Sequence, residues 1–184
     1  MTQKQILRST LKAKRLALLP DFISAQSWLF CSRIQSFFAD KPKQNIGIYL
    51  AGKGELDLAP SIAWLSSQGH HLYAPVIQNE SLHFHEYTAT TPLTPNQFGL
   101  LEPVSQLTLA PQDLDYVLIP LVAFDKQGHR LGMGKGYYDR TFAFHKPDQK
   151  PLLIGCAYAF QEVPLIPHER HDVHMDLILT TRQS

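Results

Sequence analysis

Apolar positions near the start of the chain recur at helical spacing, and they predict two helices. Over residues 4–19 an imperfect apolar stripe lies among basic side chains, which is typical of an amphipathic helix. Pro20 ends this first helix, and Asp21 is positioned to cap a second helix that extends to Phe38. The apolar residues of the second helix are Trp28, Leu29, Ile34, Phe37 and Phe38.

Shorter apolar runs follow, and their length and composition predict β-strands. We expect strands at residues 45–51, 71–76, 81–87, 115–124, 152–157 and 177–180. The run at 81–87 alternates between apolar and polar positions and is therefore expected to be antiparallel. Further helices are predicted at residues 58–68, where Gly69 ends the helix, and from Gly136 towards His145.

The alternation of strands and helices at this spacing indicates the α/β class. We predict one three-layer α/β/α domain over residues 1–184, with a mainly parallel central sheet. Residues 89–112, which are rich in Thr, Pro and Gln, are expected to form a long excursion from it. Ligands of such sheets bind beyond the carboxyl ends of the strands. The loops after Leu50 and after Phe124 are therefore the candidate site.

Composition excludes several classes of protein. The chain has 184 residues, of which 44% are hydrophobic and 18% charged, with a formal net charge of +1; these values are typical of a globular protein. No overall field attracts nucleic acid or an acidic membrane, so anion binding requires a local cluster. The start of the chain lacks a signal-peptide apolar region, and no long apolar run occurs. We therefore expect a cytoplasmic protein with no nucleic-acid or membrane partner, and a monomer.

The densest set of functional side chains lies in residues 130–140, Arg-Leu-Gly-Met-Gly-Lys-Gly-Tyr-Tyr-Asp-Arg, which we call the glycine segment. Its three glycines allow backbone N–H groups to approach an anion closely. Arg130 and Lys135 carry positive charge that would neutralise a phosphate. Asp139 is a ligand type suited to the magnesium ion that accompanies a nucleotide. The glycine segment therefore predicts a polyphosphate site.

The glycine segment is not a common nucleotide fingerprint. Gly136 follows Lys135 where a Walker loop has Ser or Thr, and Gly132, Gly134 and Gly136 are spaced by two residues, unlike a dinucleotide fingerprint. The structural alternative is a glycine-rich hairpin tip or a bulged turn. The number of charged and aromatic side chains around the glycines favours the functional interpretation.

The glycine segment closely resembles the signature of the 5-formyltetrahydrofolate cyclo-ligase family. Other landmarks of that family occur in the same order along nearly the whole chain. They are Lys4 and Arg8 on a basic helix, residues 55–57 (Glu-Leu-Asp), residues 120–125 (Pro-Leu-Val-Ala-Phe-Asp), and Ile166 and Pro167 followed by Asp172. Met133 and Lys135 depart from the commonest family residues, at positions that vary within the family.

The resemblance implies a three-layer α/β fold and an ATP- and Mg²⁺-dependent reaction. In the family, 5-formyltetrahydrofolate is converted to 5,10-methenyltetrahydrofolate, with release of ADP and phosphate. ATP phosphorylates the formyl oxygen, and a second folate nitrogen then attacks the activated carbon. The protein is expected to position the reactants and to stabilise charge during phosphoryl transfer.

The resemblance also implies roles for individual residues in nucleotide binding. The expected nucleotide contacts are Lys4, Arg8, Arg130, Leu131, Gly132, Met133, Gly134, Lys135, Gly136, Tyr137 and Tyr138. Arg130 and Lys135 are the expected catalytic residues, since their charge would stabilise the transferred phosphoryl group. The helix predicted near Gly136 would direct its positive end at the anion. Lys14 and Arg15 are expected to lie on a solvated basic face.

Substrate and metal contacts are implied in the same way. The substrate-binding residues are expected to be Leu50, Glu55, Met133 and Tyr137, and the metal ligands Asp139 and Asp172. Glu55 is expected to accept hydrogen bonds from the pterin; its structural alternative is the start of a helix. Asp139 alternatively caps a helix or pairs with Arg140. Because adjacent helical residues face different ways, one of Tyr137 and Tyr138 is expected in the site and the other in the core.

Three further interpretations remain at this stage. The chain is alternatively a non-catalytic folate- or nucleotide-binding regulator, or a sugar-phosphate or coenzyme A enzyme on a similar fold. A coenzyme A transferase would require a glutamate nucleophile, for which Glu55 is the one glutamate at a predicted strand end. His168, His171 and His174 would form a metal-binding stripe if their segment were helical, although two prolines favour a solvated loop.

Overall fold

The computed structural model describes residues 2–182. Its helices, in chain order, are α1 (Gln3–Leu16), α2 (Pro20–Phe38), α3 (Ala59–Ser67) and α4 (Tyr137–Thr141). Its strands are β1 (Asn45–Gly47), β2 (His71–Gln78), β3 (Ser81–Tyr87), β4 (Leu93–Pro95), β5 (Leu101–Pro103), β6 (Thr108–Leu109), β7 (Tyr116–Pro120), β8 (Ala123–Phe124), β9 (Arg130–Leu131), β10 (Leu152–Ala157) and β11 (Leu177–Thr180).

A seven-stranded sheet with the order β11-β10-β7-β1-β2-β3-β6 forms the centre of the molecule. The five strands from β11 to β2 are parallel to one another, whereas β3 and β6 add antiparallel at the β2 edge. The predicted α/β class with a mainly parallel sheet is confirmed, as is the antiparallel orientation of β3.

Helices cover both faces of the sheet. On one face α2 and α3 bury a cluster that includes Phe30, Ile34 and Leu65. On the other face Phe142, at the end of α4, packs with Phe84 of β3. This arrangement gives the three layers expected from the sequence. A third cluster packs α1 against the β8–β9 hairpin, and it consists of Leu11, Val122, Ala123, Leu131 and Ile166.

The start of α2 differs from the prediction. The N-cap position is Leu19, which makes no side-chain cap, and Pro20 is the first helical residue. Asp21 is therefore not the cap but lies in the first turn, where its charge is favourable. Proline suits the first position because the N–H it lacks would have no partner within the helix.

Several predicted elements are shorter in the structure. The first helix was expected to reach residue 19 but ends at Leu16, and the first strand was expected to reach residue 51 but ends at Gly47. The strand expected at residues 115–124 ends at Pro120 and is followed by the separate β8–β9 hairpin, in which Ala123 pairs with Leu131. Sequence could not separate the two because both are continuously apolar. The helix expected from Gly136 to His145 ends at Thr141 after five residues; the chain then turns, with His145 N–H donating to the carbonyl of Phe142.

The excursion at residues 89–112 carries its own pairing. Strands β4 and β5 form an antiparallel hairpin, and β6 joins the edge of the main sheet beside β3. Residues 96–100 form the connecting turn, in which Asn96 Oδ1 accepts from the N–H groups of Phe98 and Leu100. Among residues 2–182 no helix has the length and apolar character needed to cross a membrane.

Candidate active site

The loop after β1 presents Glu55 at the carboxyl edge of the sheet. Oε2 of Glu55 accepts from the N–H of Gly52 at 2.9 Å, and the carbonyl of Glu55 accepts from the Tyr158 hydroxyl at 3.2 Å. The start of α3 is supported separately, because Oδ1 of Asp57 accepts from the N–H of Ala59 at 2.9 Å. Glu55 is thus held in a fixed loop and retains Oε1 for another donor.

The glycine segment wraps around a side chain from α1. Nε of Arg8 donates to the carbonyl of Gly132 at 2.9 Å. Gly134 has a φ of +90°, and a Cβ there would lie 3.3 Å from Cζ of Arg8. Glycine therefore allows both the left-handed backbone and the close approach of the guanidinium. The structure brings together Arg8 and the backbone that the sequence assigned to one phosphate site.

Arg130 and Asp139 pair within the glycine segment. Nη2 of Arg130 donates to Oδ1 of Asp139 at 2.8 Å, and the same oxygen accepts from the N–H of Val173 at 3.0 Å. The side chain of Arg130 is buried, and its Nε has no hydrogen-bond partner within residues 2–182. A buried guanidinium with an unused donor is suited to bind an anion. Asp139 pairs with Arg130, and not with Arg140 as the alternative interpretation held.

Lys4 lies beside the second candidate metal ligand. Its ammonium contacts Oδ2 of Asp172 at 2.9 Å and Oε1 of Glu169 at 3.1 Å. Burial lowers the pKa of Lys4, but the two carboxylates outweigh it and the net pKa is raised. Burial likewise raises the pKa of Asp172, yet the bonds from Lys4 and from the N–H of Glu169 bring the net pKa below its usual value. Both groups are therefore charged at neutral pH.

Asp139 and Asp172, the two candidate metal ligands, lie on the same side of α4. Both line one cavity of about 520 Å³ beside α4. No group of three or more His, Cys, Asp or Glu side chains is arranged to hold a metal within residues 2–182. Mg²⁺ commonly uses only one or two carboxylates, with phosphate oxygens and water supplying the remaining ligands. The two carboxylates consequently suit Mg²⁺ bound together with a nucleotide.

The two tyrosines of the glycine segment have different surroundings. The ring of Tyr138 stacks on Phe142 with centroids 6.3 Å apart. Burial raises the pKa of the Tyr138 hydroxyl, Glu55 raises it further, and Arg130 acts in the opposite direction. The Tyr138 hydroxyl is therefore protonated at neutral pH, since its net pKa is raised. Tyr137 instead contacts Phe98 at 6.5 Å between ring centroids.

The turn at residues 96–100 spans the site. Phe98 contacts Tyr137, and Nζ of Lys135 lies 5.7 Å from the Phe98 ring centroid. At the other end of the turn, a Cβ on Gly52 would lie 2.8 Å from Cδ2 of Leu100, which places Leu100 against the Glu55 loop. The sequence left open whether the stretch that contains Phe98, Gly99 and Leu100 forms a loop over the folate site. In the sequence, Phe98 and Leu100 stand out as apolar neighbours of Gly99 within a polar stretch.

The prediction that Arg15 is solvated is wrong. Arg15 is only 3% exposed, whereas its neighbour Lys14 is exposed as expected. Nη1 of Arg15 donates to the carbonyl of Leu121 at 3.0 Å, and Nη2 lies 3.9 Å from Oε1 of Glu55. The spacing of the basic residues could have indicated this, because Lys4, Arg8 and Arg15 fall on one side of a helix.

The remaining predicted residues lie around the same edge. Leu50 is half-buried against the core, Met133 is 47% exposed, and Lys135 is exposed. The backbone carbonyl of Gly132 is occupied by Arg8, and Gly136 precedes α4 with a φ of +68°. Since α4 has only five residues, its dipole contributes little to anion binding, contrary to the expectation of a long helix.

The histidines near the end of the chain do not form the metal-binding stripe. Their segment is not helical. His168 stacks on His129 with centroids 3.8 Å apart and an interplanar angle of 8°, and His174 meets the edge of His129 at 5.2 Å. Parallel stacked rings do not direct their nitrogens to a common point.

Comparisons with known proteins agree with this arrangement. The model of the 5-formyltetrahydrofolate cyclo-ligase family matches residues 1–181. The 5-formyltetrahydrofolate cyclo-ligase of Haemophilus influenzae is 39% identical over 141 residues, which span 74% of this chain and 75% of that protein. The protein of the same name from Escherichia coli is 31% identical over 175 residues, spanning 92% of this chain and 96% of the relative.

Solved structures give the same result. The NMR structure of Aquifex aeolicus 5,10-methenyltetrahydrofolate synthetase matches with a TM-score of 0.85 and 30% identity, covering 99% of this chain and 91% of that chain. A 5,10-methenyltetrahydrofolate synthetase from Mycoplasma pneumoniae matches with a TM-score of 0.77 and 28% identity, covering 96% and 98%. The chain belongs to the 5-formyltetrahydrofolate cyclo-ligase family, which is a family of ligases.

Proposed function

We propose that the protein cyclises 5-formyltetrahydrofolate to 5,10-methenyltetrahydrofolate, using ATP and Mg²⁺ and releasing ADP and phosphate. Membership of the cyclo-ligase family supports the overall reaction. The nucleotide, the metal and the residue roles are supported by the chemistry of the side chains at the carboxyl edge of the sheet.

One observation carries the proposal. The turn at residues 96–100 contacts both loops, with Phe98 against Tyr137 and Leu100 against Gly52, so that a carboxylate suited to pterin donors and a guanidinium suited to phosphate share one site. A reaction that joins a folate to a phosphoryl group requires these two chemistries side by side. A pure nucleotide-binding site would need no partly buried carboxylate at Glu55.

In the nucleotide half, cations converge from two elements. Arg8 of α1 lies against the backbone of the glycine segment at Gly132, and Arg130 has an unused buried donor. Lys135 is exposed on the same segment and can move towards a phosphate. Lys4 is bound to Asp172, so its contact with the nucleotide would accompany a change in that ion pair. Positive charge fixed around the transferred phosphoryl group lowers the barrier to its transfer.

In the part of the site proposed to bind folate, the Glu55 carboxylate lies near mostly apolar side chains. Glu55 retains Oε1 to accept from the N–H donors of the pterin, while Leu100 lies against the Glu55 loop. Phe98 and Tyr137 provide aromatic surfaces nearer the glycine segment, and aromatic surfaces favour contact with flat conjugated rings. We assign Leu50 and Met133 to the outer walls of this pocket.

The proposed chemical steps are those that the family resemblance implies. The formyl oxygen attacks the terminal phosphorus of ATP and ADP leaves. A second folate nitrogen then attacks the formyl carbon and loses its proton, and the oxygen departs with the phosphate. Arg130 binds the phosphoryl oxygens throughout, and Glu55 keeps the pterin oriented for ring closure. Asp139 and Asp172 would hold Mg²⁺, whose charge would neutralise the polyphosphate.

The test is the appearance of the methenyl chromophore when purified protein is mixed with 5-formyltetrahydrofolate, ATP and MgCl₂. We expect the absorbance to rise only when ATP and Mg²⁺ are both present, together with one ADP per product. Folate binding without product would contradict the enzymatic proposal and identify a binding protein. ADP release that is independent of formylfolate would identify a different phosphotransfer reaction.

A further inference from the structure

Helix α1 presents its functional side chains on one face. Lys4, Arg8, Leu11 and Arg15 have the spacing i, i+4, i+7 and i+11, which aligns them along one side of a helix. Lys4 reaches Asp172, Arg8 reaches the carbonyl of Gly132, and Leu11 is buried against the β8–β9 hairpin. Arg15 continues this face beyond the nucleotide side, towards the loop that carries Glu55.

Arg15 is fixed from several directions. Its Nη1 donates to the carbonyl of Leu121, which also accepts from Nε2 of Gln161. The Glu55 loop packs on the backbone of Arg15, because a Cβ on Gly54 would be 3.1 Å from the carbonyl carbon of Arg15. The guanidinium is therefore held by the end of β7, where it faces the Glu55 loop.

Arg15 is the charged neighbour of Glu55 on the protein side. Oε2 of Glu55 is bound by the N–H of Gly52, and Oε1 lies 3.9 Å from Nη2 of Arg15. The two side chains are 3% and 14% exposed, so water screens their attraction less than it would at the surface. An attraction of this kind restrains the rotation of the carboxylate, which no hydrogen bond to Oε1 otherwise fixes within residues 2–182.

We propose that Arg15 is a positioning residue for the formylfolate half of the site: it holds the Glu55 carboxylate so that Oε1 faces the bound pterin. This inference rests on the proposed function for the identity of the ligand. Arg15 acts through Glu55 and does not itself contact the nucleotide. Its loss should therefore weaken folate binding and leave ATP binding unchanged.

The geometry requires arginine and not merely positive charge. The planar guanidinium donates to Leu121 through Nη1 while Nη2 faces Glu55. A lysine ammonium is a single point charge on a flexible stem and cannot maintain both directions at once. Arg15→Lys should therefore restore only part of the effect lost in Arg15→Met.

The experiment compares Arg15→Met, Arg15→Lys and Lys14→Met. Arg15→Met retains an apolar side chain of similar length. The carbonyl of Leu121 keeps its hydrogen bond from Gln161, so the effect on folding is limited. Lys14→Met removes one charge from the adjacent exposed residue and serves as the control. We expect Arg15→Met to raise KM and the equilibrium dissociation constant for 5-formyltetrahydrofolate about tenfold. KM for ATP should be unchanged, Arg15→Lys should be intermediate, and Lys14→Met should resemble the wild type.

A double-mutant cycle with Glu55→Gln separates positioning from general support of the fold. If Arg15 acts through Glu55, Arg15→Met should weaken folate binding less than about twofold in the Glu55→Gln background. The same tenfold loss in both backgrounds, or a parallel rise in KM for ATP, would overturn the inference. If the wild type forms no methenyl product, the proposed reaction fails, while the cycle measured by folate binding still tests Arg15.

Discussion

Nη2 of Arg130 and Oδ1 of Asp139 lie 2.8 Å apart, so a candidate phosphate ligand and a candidate metal ligand are bound to each other. Both come from the glycine segment, one from β9 and the other from α4. Oδ1 of Asp139 also receives the N–H of Val173, which leaves Oδ2 for a metal. The pairing pre-orients Arg130 towards the place where Mg²⁺ and the phosphates would be held together.

Arg130→Lys should lower kcat about a hundredfold with little change in KM for folate. Lysine retains the charge but cannot bind Asp139 and a phosphoryl oxygen in the fixed geometry of a guanidinium. Steady-state kinetics at saturating ATP and folate would measure the change. Arg182→Lys is the control, because Arg182 is exposed and pairs with Glu162. An Arg130→Lys enzyme with wild-type kcat would remove Arg130 from phosphoryl transfer.

Lys135→Ala should lower kcat by only about tenfold, less than the change at Arg130. Lys135 is exposed and lies over the Phe98 ring, so it must move to reach a phosphate and is partly replaceable by water. The informative comparison is the salt dependence of kcat/KM for ATP, which should weaken in the variant. Identical salt dependence in wild type and variant would place Lys135 outside the phosphate site.

The sequence predicted the fold from local patterns that the structure retains. The bounds of β3, β10 and β11 were predicted to the residue, because each is an apolar or alternating run between clear turn signals. The length of α4 could not be predicted, since nothing in its sequence shows that the chain turns after Phe142. The separation of β7 from β8 was hidden because Leu121 and Val122 are as apolar as the strands they connect.

The candidate site was predictable where the chain itself concentrates functional residues. The glycine segment contains both Arg130 and Asp139, and their roles followed from side-chain chemistry and the family resemblance. Arg15 and Phe98 depend on contacts between distant parts of the chain, with Glu55 and Tyr137 respectively. Such contacts are set by packing, and a single sequence carries only their spacing on a helix or their apolar character.

Asp139→Asn should raise the Mg²⁺ concentration needed for half-maximal rate about tenfold, because an amide oxygen is a weaker ligand than a carboxylate. Asp172→Asn should have the same effect and should also release Lys4, which is bound to Asp172 at 2.9 Å. Magnesium titrations of kcat/KM for ATP would measure both. Folate binding without ATP is the internal control and should not change. A magnesium dependence equal to that of the wild type would exclude the pair as metal ligands.

Phe98→Ala should raise KM for formylfolate about tenfold while leaving KM for ATP nearly unchanged. The ring contacts Tyr137 and lies under the ammonium of Lys135, and its loss removes an aromatic surface from the folate side. Phe98→Tyr should retain most of the affinity because it keeps the ring. Phe144→Ala is the matched control, since Phe144 is also partly exposed and packs on Phe142. Equal effects at Phe98 and Phe144 would contradict a specific role for the turn.

Asp125 makes the stability of the β8–β9 hairpin dependent on pH. This carboxylate is 1% exposed. Burial raises its pKa, but the N–H of Ile166, the imidazole and N–H of His129 and the N–H of Gln127 together bring the net pKa below its usual value. The folded-state pKa is thus below the unfolded value of about 3.9. The stabilisation is present above that pH and is lost as the pH falls through the folded-state pKa.

Asp125→Asn should therefore lower the free energy of unfolding by about 2 kcal/mol at pH 7, because an amide cannot accept from all of these donors. The difference from the wild type should begin to narrow below about pH 4, where the unfolded-state carboxyl becomes protonated, and should vanish as the pH falls through the lower folded-state pKa. Urea unfolding of both proteins between pH 7 and pH 3 measures this difference in the free energy of unfolding. Asp40→Asn is the control, because Asp40 is exposed. A difference in the free energy of unfolding that stays constant over this range would show that the charge of Asp125 does not stabilise the hairpin.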